Sequence, residues 1–430
     1  MICATVRFLT DLQREDILSD TIVGLDIGTS VVRVAIAEVD YEGNLSIIGL
    51  SSKESKGLKN GAILNLEAAS SVIKEVIEEV ETDAGADVMS CVAGIGGSQI
   101  GSLNSRGQSA ISKHGKSSGE ITRADVDRVI ENARSVPIPI DREIIHVIPK
   151  YYSVDGLNKI KDPINMIGVR LETEIHIVTA SKTAIQNERE CINRAGYEID
   201  RIMQKTLAAT NAVLHQDEMD LGSILIDLGA GTTDVLVIYE GAPLVSFSIK
   251  IGGNLVTNDI AIVKGIPIAA AEEIKVNYGN CFVDMLTKPK EVKIPGVGGR
   301  PPELTTQVEI AQIIQPRMEE IFMMVLHEIR GRTNLSTMSG NIVLIGGGAQ
   351  MDGALELAKA VFGTQSVRLG FPESIGILDG LDYRKPEFAT VIGLVLSQKY
   401  SGGDPLRKTS RKKTSEKSEG FLRKLKRVFF

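Results

Sequence analysis

The chain has 430 residues, of which 43% are hydrophobic and 24% charged, and its formal net charge is −7. This length and balance are typical of a protein with two to four folding units and a large buried core. Trp is absent and aromatic residues make up 4% of the chain, which excludes an aromatic-lined nucleic-acid platform. No stretch approaches the roughly 18 apolar residues of a membrane-spanning helix.

The N-terminal residues and the cysteines favour a cytosolic protein. Residues 1–21 lack the apolar core of a signal peptide and are expected to form a flexible extension. The four cysteines are far apart and contain no Cys-x-x-Cys pair, which indicates reduced thiols rather than a disulfide framework or a zinc site.

The most informative feature is a motif that occurs twice. An apolar strand ends at Asp26, turns through Gly28, Thr29 and Ser30, and continues as a second apolar strand. The motif recurs 201 positions later, where the acid is Asp227. The turn and strand residues after it are Gly229, Gly231, Thr232 and Thr233.

Each copy carries the groups that a magnesium nucleotide requires. Glycines let backbone N–H groups approach phosphates, hydroxyls add donors, and the carboxylate holds the metal or its water shell. Chance similarity of two β-hairpins is the alternative for either copy alone. The pair in this order predicts two related half-domains that close on one triphosphate.

Between the two copies the pattern changes. A Gly/Ser-rich turn is predicted at Gly96–Ser105, a helix at Thr122–Ala133 with a capping box formed by Thr122 and Asp125, and strands around Ile144–Tyr152 and Gly168–Thr179. We interpret residues 97–179 as an inserted two-layer α/β subdomain. His146 and His176 lie in apolar strands of this unit and are expected to be satisfied core residues.

Beyond the second copy, further segments bear on function. A helix carries Glu272 and Lys275 one turn apart, suited to ribose hydroxyls and a base edge, with a solvated ion pair as the alternative. Residues Glu291–Pro302 are predicted to form a rigid exposed loop, followed by a helix at Thr306–Arg332 that Pro316 interrupts. A strand then runs into Gly346, Gly347 and Gly348, a glycine run suited to the wall of an adenosine pocket.

The C-terminal part is basic. From Ser401 onward, ten Lys or Arg stand against three acids, so the preceding 400 residues sum to −14. Residues 401–419 are predicted to be a disordered linker, and residues 420–430 an amphipathic helix that lies in a membrane interface. A docking helix for a protein partner and a disordered basic tail are the alternatives. The segment's apolar and basic residues are Phe421, Leu422, Arg423, Lys424, Leu425, Lys426, Arg427, Val428, Phe429 and Phe430.

The three motifs, their order and their spacing resemble the phosphate-1, phosphate-2 and adenosine motifs of the actin/Hsp70/sugar-kinase superfamily. Within it the chain is most similar to the FtsA family of bacterial cell-division proteins. The resemblance implies an α/β, actin-like (ribonuclease-H-like) two-lobed ATPase fold with an inserted FtsA-type 1C subdomain. The implied ranges are 22–96, 180–207 and 349–400 for subdomain 1A, 97–179 for 1C, 208–252 and 331–348 for 2A, and 253–330 for 2B.

The resemblance also implies the ligands. ATP would bind at the glycine, threonine and serine residues of the two turns and at Glu272, Lys275 and the glycine run. Mg²⁺ would be held largely through water by Asp26 and Asp227. Family members often carry Lys directly after Gly-Thr-Ser, whereas Val31 stands here, so Arg33 becomes the candidate phosphate contact.

The implied function is that of an actin-like protein that self-associates on the cytoplasmic face of the cell membrane and anchors FtsZ filaments at the division site. Arg300 and Arg317 are carried over as contacts of the FtsZ C-terminal peptide, with Lys293 added by proximity. Other divisome proteins would bind subdomain 1C, and anionic lipids the C-terminal segment.

Hydrolysis is expected to be slow or absent because no water-activating base is evident, and Asp234 is expected to be a cap or surface residue. The alternatives are an actin-like pilus-assembly ATPase and a sugar or acid kinase. The basic C-terminal segment disfavours the kinase.

Overall fold

The computed structural model describes residues 21–40, 42–111, 118–296, 298–299, 301–333, 340–373, 375–377 and 382–397. The N-terminal extension up to residue 20, Arg300, the linker 401–419 and the amphipathic segment 420–430 lie outside these ranges. Within them, no helix combines the length and the apolar character needed to cross a membrane.

The elements are given in chain order. The strands are β1 Thr21–Ile27, β2 Val31–Val39, β3 Leu45–Glu54, β4 Leu58–Lys59, β5 Ala62–Ile63, β6 Ser90–Ile95, β7 Ile100–Ala110, β8 Gly119–Glu120, β9 Arg142–Val154, β10 Leu157–Ile160, β11 Ile167–Gly168, β12 Arg170–Ser181, β13 Glu198–Gln204, β14 Ser223–Leu228, β15 Thr233–Tyr239, β16 Ala242–Ile249, β17 Glu291–Ile294, β18 Glu303–Thr306, β19 Ile342–Ile345, β20 Val367–Leu369 and β21 Gly376–Ile377. The helices are α1 Leu66–Ala84, α2 Arg123–Arg134, α3 Lys182–Ala195, α4 Lys205–Val213, α5 Gln216–Leu221, α6 Gly253–Lys264, α7 Ile268–Tyr278, α8 Gln307–Arg332, α9 Ala354–Phe362 and α10 Ala389–Leu396.

Two sheets of the same design form the two lobes. One has the order β13-β6-β1-β2-β3-β21 and the other the order β16-β15-β14-β19-β20. In the first, β1 pairs antiparallel with β2 and parallel with β6, and in the second β14 pairs antiparallel with β15 and parallel with β19. The strands β1 and β14 are therefore equivalent, and their carboxyl ends carry the two copies of the repeated motif.

The two lobes share a helical centre. Helices α4 and α10 pack against each other, and α10 is buried along almost its whole length because its sequence is apolar on every side. Gly393 in α10 permits this contact, since a Cβ there would lie 2.1 Å from the carbonyl oxygen of Ala208. The helices thus provide a common core against which both sheets are placed.

The inserted unit is a four-stranded sheet of order β10-β9-β12-β7 that α2 covers on one face. The predicted capping box is confirmed, because the backbone N–H of Thr122 donates to Asp125 at 2.9 Å. The predicted turn at Gly96–Ser105 is wrong from residue 100 onward, where β7 begins. Strand β7 pairs with β12 along its whole length, so tertiary pairing outweighs the Gly/Ser composition.

Two further predictions need correction. The segment Glu291–Pro302 is not a loop throughout, because its first four residues form β17, which pairs with β18. Helix α8 is continuous through Pro316, with buried residues on both sides of the proline such as Ile314 and Met318. Packing of this apolar face on the core keeps the helix in register despite the one missing N–H donor.

Candidate functional site

The two hairpins close in the same way. The backbone N–H of Gly28 donates to the carbonyl oxygen of Val31 at 3.1 Å, and that of Gly229 to the carbonyl oxygen of Thr232 at 3.0 Å. A Cβ at Gly28 would lie 2.5 Å from its acceptor and one at Gly229 2.8 Å from its own. Only glycine fits at either position, so the repeated sequence motif corresponds to a repeated backbone structure.

The tips of the two hairpins touch. A Cβ at Gly231 would lie 2.7 Å from the hydroxyl oxygen of Thr29, and that hydroxyl accepts the backbone N–H of Gly61 at 2.9 Å. Beside the tips, a cleft of about 670 Å³ separates the lobes. Its volume lies in the usual range for small-molecule sites. The cleft is lined by every residue predicted to contact nucleotide or metal: Asp26, Gly28, Thr29, Ser30, Arg33, Asp227, Gly229, Gly231, Thr232, Thr233, Glu272, Lys275, Gly346, Gly347 and Gly348.

The glycine run after β19 forms one wall. Gly346 has φ +85°, and a Cβ there would lie 2.3 Å from Asp227 Oδ1, so the chain passes directly beside the second hairpin. A Cβ at Gly347 would meet no atom within 4 Å. The wall therefore presents bare backbone to an open space, which suits a ligand that packs closely against the main chain.

The pair on α7 faces this cleft from the second lobe. Lys275 Nζ lies 2.7 Å from Glu272 Oε2, donates to Thr257 Oγ1 at 2.8 Å and reaches the carbonyl oxygen of Gly253 at 3.3 Å. The Lys275 side chain is 10% exposed. These contacts bind α7 to the N-terminus of α6. Lys275 is removed from solvent, whereas Glu272 is 46% exposed, and a contact of this ion pair with nucleotide remains a prediction.

The second hairpin carries an excess of negative charge. Asp227 lies opposite Asp234 in the strand register. Burial, followed by the nearby charges of Asp234 and Asp26, raises the pKa of Asp227 to about 7. Asp234 accepts the backbone N–H of Gly97 and the hydroxyl of Thr232, both at 3.0 Å. It is buried, so the expectation of a surface residue is wrong, whereas its bond to the first residue of the 3₁₀ turn Gly97–Gln99 is a capping contact.

Two charged residues of the cleft were not identified from the sequence. Lys205, the first residue of α4, donates to the carbonyl oxygen of Ile27 at 2.6 Å and lies 2.7 Å from Asp26 Oδ1. Glu188 on α3 is buried, and no described residue bonds its Oε1. Burial raises the pKa of Glu188 to about 8. The only sequence signal for either residue is a charge among apolar neighbours. Lys205 directly follows β13, and Glu188 lies on the inner face of α3.

Arg33 lines the cleft but is already engaged. Its Nη2 forms an ion pair with Glu387 Oε2 at 2.6 Å, and its guanidinium lies 5.7 Å from the centre of the Phe388 ring. The side chain is 13% exposed. A phosphate contact by Arg33 remains a prediction.

The residues predicted to contact a peptide lie in the second lobe. Arg317 forms a two-pronged ion pair with Asp259, at 2.6 and 3.1 Å, and also contacts Glu320. Lys293 borders a shallow groove of about 430 Å³ together with Tyr278 and Pro295. Arg300 is outside the described residues.

The duplicated sheets, the cleft between them and the inserted unit define an actin-like protein. A solved structure titled as a PilM-PilN type IV pilus biogenesis complex superposes with a TM-score of 0.61 at 18% identity, covering 87% of this chain and 98% of that one. The MreB5 protein of Spiroplasma citri bound to ADP gives a TM-score of 0.51 at 15% identity, with 89% and 96% coverage. At these identities the likeness concerns the fold alone.

Sequence comparison identifies the family. The model described as "SHS2 domain inserted in FTSA" matches residues 97–179, and that described as "Cell division protein FtsA" matches residues 224–393. The chain is 40% identical to the cell division protein FtsA of Borreliella burgdorferi over 413 residues, 94% of this chain and 98% of that protein. The Pseudomonas aeruginosa relative is 39% identical with 89% and 90% coverage, and the Escherichia coli K12 relative 34% identical with 87% and 89% coverage.

The chain belongs to the FtsA family of cell division proteins. The resemblance and the fold class predicted from the sequence, including the inserted subdomain, are thereby confirmed.

Proposed function

We propose that this protein binds ATP and Mg²⁺ in the cleft, self-associates in actin-like fashion on the cytoplasmic face of the cell membrane, and anchors FtsZ filaments at the division site. Later divisome proteins would then be recruited through the inserted subdomain. The observation that carries the proposal is the pair of glycine-closed hairpins that meet across one cleft.

The groups present fit a magnesium nucleotide. The glycine turns and the bare glycine wall leave room for phosphates and adenosine, and Glu272 with Lys275 offers polar contacts at the second lobe. Asp227 supplies carboxylate oxygen, the donor that Mg²⁺ prefers. Bound Mg²⁺ would supply the positive charge that offsets the phosphates and the acids of the second hairpin. The ADP-bound MreB5 structure supports nucleotide binding by this fold.

Membrane attachment rests on the sequence of residues 420–430. Each cation near an anionic leaflet contributes about 1 kcal/mol, and the apolar face adds burial in the interface. One such segment gives weak and reversible attachment, and a self-associated array of chains gives avidity.

Recognition of FtsZ would take place on the second lobe. The groove beside Lys293 is lined by this cation, by one acid, Glu273, and by the apolar surfaces of Tyr278 and Pro295, so it offers one cation and apolar surface to a peptide that carries a carboxylate and apolar side chains. Arg317 would contact such a peptide by exchanging Asp259 and Glu320 for the peptide's carboxylates.

The test is co-sedimentation of purified FtsZ with anionic liposomes. Full-length protein is compared with a form that ends at Glu419. Leu425→Glu, on the apolar face of the segment, is compared with Ser410→Glu in the linker, which changes net charge equally. FtsZ should pellet with the full-length chain and Ser410→Glu, and stay in solution with the other two forms.

Calorimetric titration of the same preparations with ATP provides the control, since removal of the segment should leave ATP binding unchanged. Pelleting of the protein without FtsZ would refute the partner assignment. Loss of ATP binding together with lipid binding would show that the segment is part of the fold.

A further inference from the structure

The cleft contains a cation whose position is set by the first hairpin. Lys205 begins α4 in the shared core, and its ammonium group reaches the end of β1. There it donates to the carbonyl of Ile27, the residue directly before Gly28. The same ammonium pairs with Asp26 Oδ1 at 2.7 Å, so it lies at the base of the turn that carries Gly28, Thr29 and Ser30.

The surroundings are shaped around this side chain. A Cβ at Gly96 would lie 2.9 Å from Lys205 Cδ, and one at Gly94 would lie 3.3 Å from Cγ. Both glycines belong to the segment at the end of β6, and both have ordinary backbone angles. The absence of a Cβ at these two positions therefore leaves room for the Lys205 stem. The side chain is 13% exposed and lines the cleft.

The ammonium group has unused bonding capacity. A lysine ammonium carries three N–H donors. Within the part of the chain that the structure describes, its hydrogen-bond acceptor is the Ile27 carbonyl, and its ion-pair partner is the Asp26 carboxylate. At least one donor is left for a ligand of the cleft, and the ligand chemistry that a cation with a spare donor favours is a phosphate oxygen.

Carboxyl groups surround the ammonium group, because Asp26 pairs with it and Glu188 and Asp234 line the same cleft. Arg33, the cation that sequence analysis assigned to phosphate, is instead held by Glu387 and Phe388.

We propose that Lys205 is the protein's own phosphate-contacting cation, which binds the polyphosphate of the nucleotide from the first hairpin while Asp26 positions it. This inference rests on the proposed nucleotide binding and assigns the contact to the first residue of α4 rather than to Arg33. Lys205 thus contributes to the preference for triphosphate over the unphosphorylated nucleoside.

The test is the ratio of the affinities for ATP and adenosine, measured by calorimetry with Mg²⁺ and again in EDTA. Lys205→Met keeps the length of the stem and removes the charge. A charge-assisted contact of this kind changes affinity by roughly 10-fold to 100-fold, so the ratio should fall by at least about 10-fold. Adenosine affinity should remain close to that of the unaltered protein.

The matched control is Lys150→Met. Lys150 is 10% exposed and pairs with Glu174 Oε1 at 2.5 Å in the inserted subdomain, away from the cleft. It should leave the ratio unchanged. If Lys205→Met fails to fold because Asp26 is left buried and unpaired, Asp26→Asn/Lys205→Met removes both charges, and its ratio is read in EDTA, where Asp26 holds no metal.

The outcomes separate the two proposals. If the unaltered protein binds neither ATP nor ADP, the proposed function fails and this inference fails with it. If that protein binds ATP and the folded Lys205 variants keep its ratio, only the inference is overturned. A loss of adenosine affinity equal to the loss of ATP affinity would also overturn it, because Lys205 would then act only on the shape of the cleft.

Discussion

The two hairpins of the cleft have the same backbone conformation, but the charges beside their aspartates differ. In each, a glycine N–H closes the turn on the carbonyl three residues later, and an aspartate precedes that glycine by two positions. In the first, Asp26 lies opposite Arg33 in the register and pairs with Lys205. In the second, Asp227 lies opposite Asp234, and burial together with this second carboxyl raises the pKa of Asp227 to about 7.

The two hairpins therefore share a backbone shape but differ in charge. In the first, Lys205 offsets the charge of Asp26. In the second, two carboxyl groups lie close together, and a bound cation would favour their ionised forms. We therefore expect Mg²⁺ to depend chiefly on the second hairpin, although the sequence motif alone assigns the metal equally to both.

The largest expected effect is the loss of ATP affinity on substitution of Asp227 in the second hairpin. Asp227→Ala should weaken ATP binding in the presence of Mg²⁺ by about 100-fold, or about 2.7 kcal/mol, because it removes the carboxylate expected to hold the metal. Calorimetry with ATP at fixed Mg²⁺ measures the effect.

Asp26→Ala is the paired variant on the first hairpin. It frees Lys205 from its carboxylate while the Ile27 carbonyl still holds the ammonium group, so in EDTA this variant should bind ATP at least as tightly as the unaltered protein. Equal losses for the two aspartate variants, in Mg²⁺ and in EDTA alike, would mean that the hairpins are equivalent after all.

The sheet that carries the second hairpin contacts the inserted subdomain through β16. A buried histidine at this contact predicts a pH dependence of stability. His176 is fully buried between Asn104, 2.8 Å from Nδ1, and Ser246 on β16, 3.4 Å from Nε2. Burial, with Lys150 and His146 nearby, lowers the pKa of His176 to about 4. Between pH 6.5 and 4 His176 binds a proton in the unfolded chain but not in the folded chain, so the contribution of this residue to stability falls as pH falls through this window.

Each pH unit in that window corresponds to about 1.4 kcal/mol, so the contribution of His176 should fall by about 2 kcal/mol between pH 6.5 and 5. Asp227 and Glu188, whose pKa values are raised to about 7 and about 8, contribute in the opposite sense over the same window. The contribution of His176 is therefore measured by urea denaturation as the difference in the free energy of unfolding between the unaltered protein and His176→Asn, which should change by about 2 kcal/mol in favour of the variant as the pH falls. For His327→Asn, at an exposed position on α8, this difference should stay constant. A constant difference for His176→Asn would assign the dependence to other groups.

The sequence predicted the parts of the molecule that leave a local signature. Both hairpins, the glycine wall and the inserted unit could be identified because each is encoded within one continuous stretch. The contact of Lys205 with Ile27 joins residues 178 positions apart, and that of Gly97 with Asp234 joins residues 137 apart. The order of strands in the first sheet brings Lys205 beside Ile27, and packing against the second sheet brings Asp234 beside Gly97, so no local pattern predicts either contact.

The same limit explains the errors in secondary structure. Strand β7 is rich in Gly and Ser, yet it pairs along its full length with β12, and α8 passes through Pro316 because both of its halves are buried. In each case burial against a distant partner outweighed the local propensity of the sequence.

A smaller effect tests the contact between the two hairpins. Gly231→Ala would place a Cβ 2.7 Å from Thr29 Oγ1 and 2.8 Å from Asn60 Cα, so the tips must separate or the backbone must shift. Overpacking of this kind costs about 1–2 kcal/mol. The melting temperature without nucleotide should fall, and Gly347→Ala, whose Cβ meets nothing within 4 Å, serves as the control in the same cleft. Equal melting temperatures for the two variants would indicate that the tips are apart in solution.

The smallest expected effect concerns Arg33 and decides which cation of the first hairpin faces the nucleotide. Its guanidinium is held by Glu387 at 2.6 Å and stacks near Phe388, so it has little freedom to turn toward a phosphate. Arg33→Met should therefore change ATP affinity by less than about 3-fold, which corresponds to about 0.6 kcal/mol. Calorimetry on Arg33→Met beside Lys205→Met gives the comparison directly. A 10-fold or larger loss in the Arg33 variant would restore the assignment made from the sequence, and would show that the ion pair with Glu387 opens when nucleotide binds.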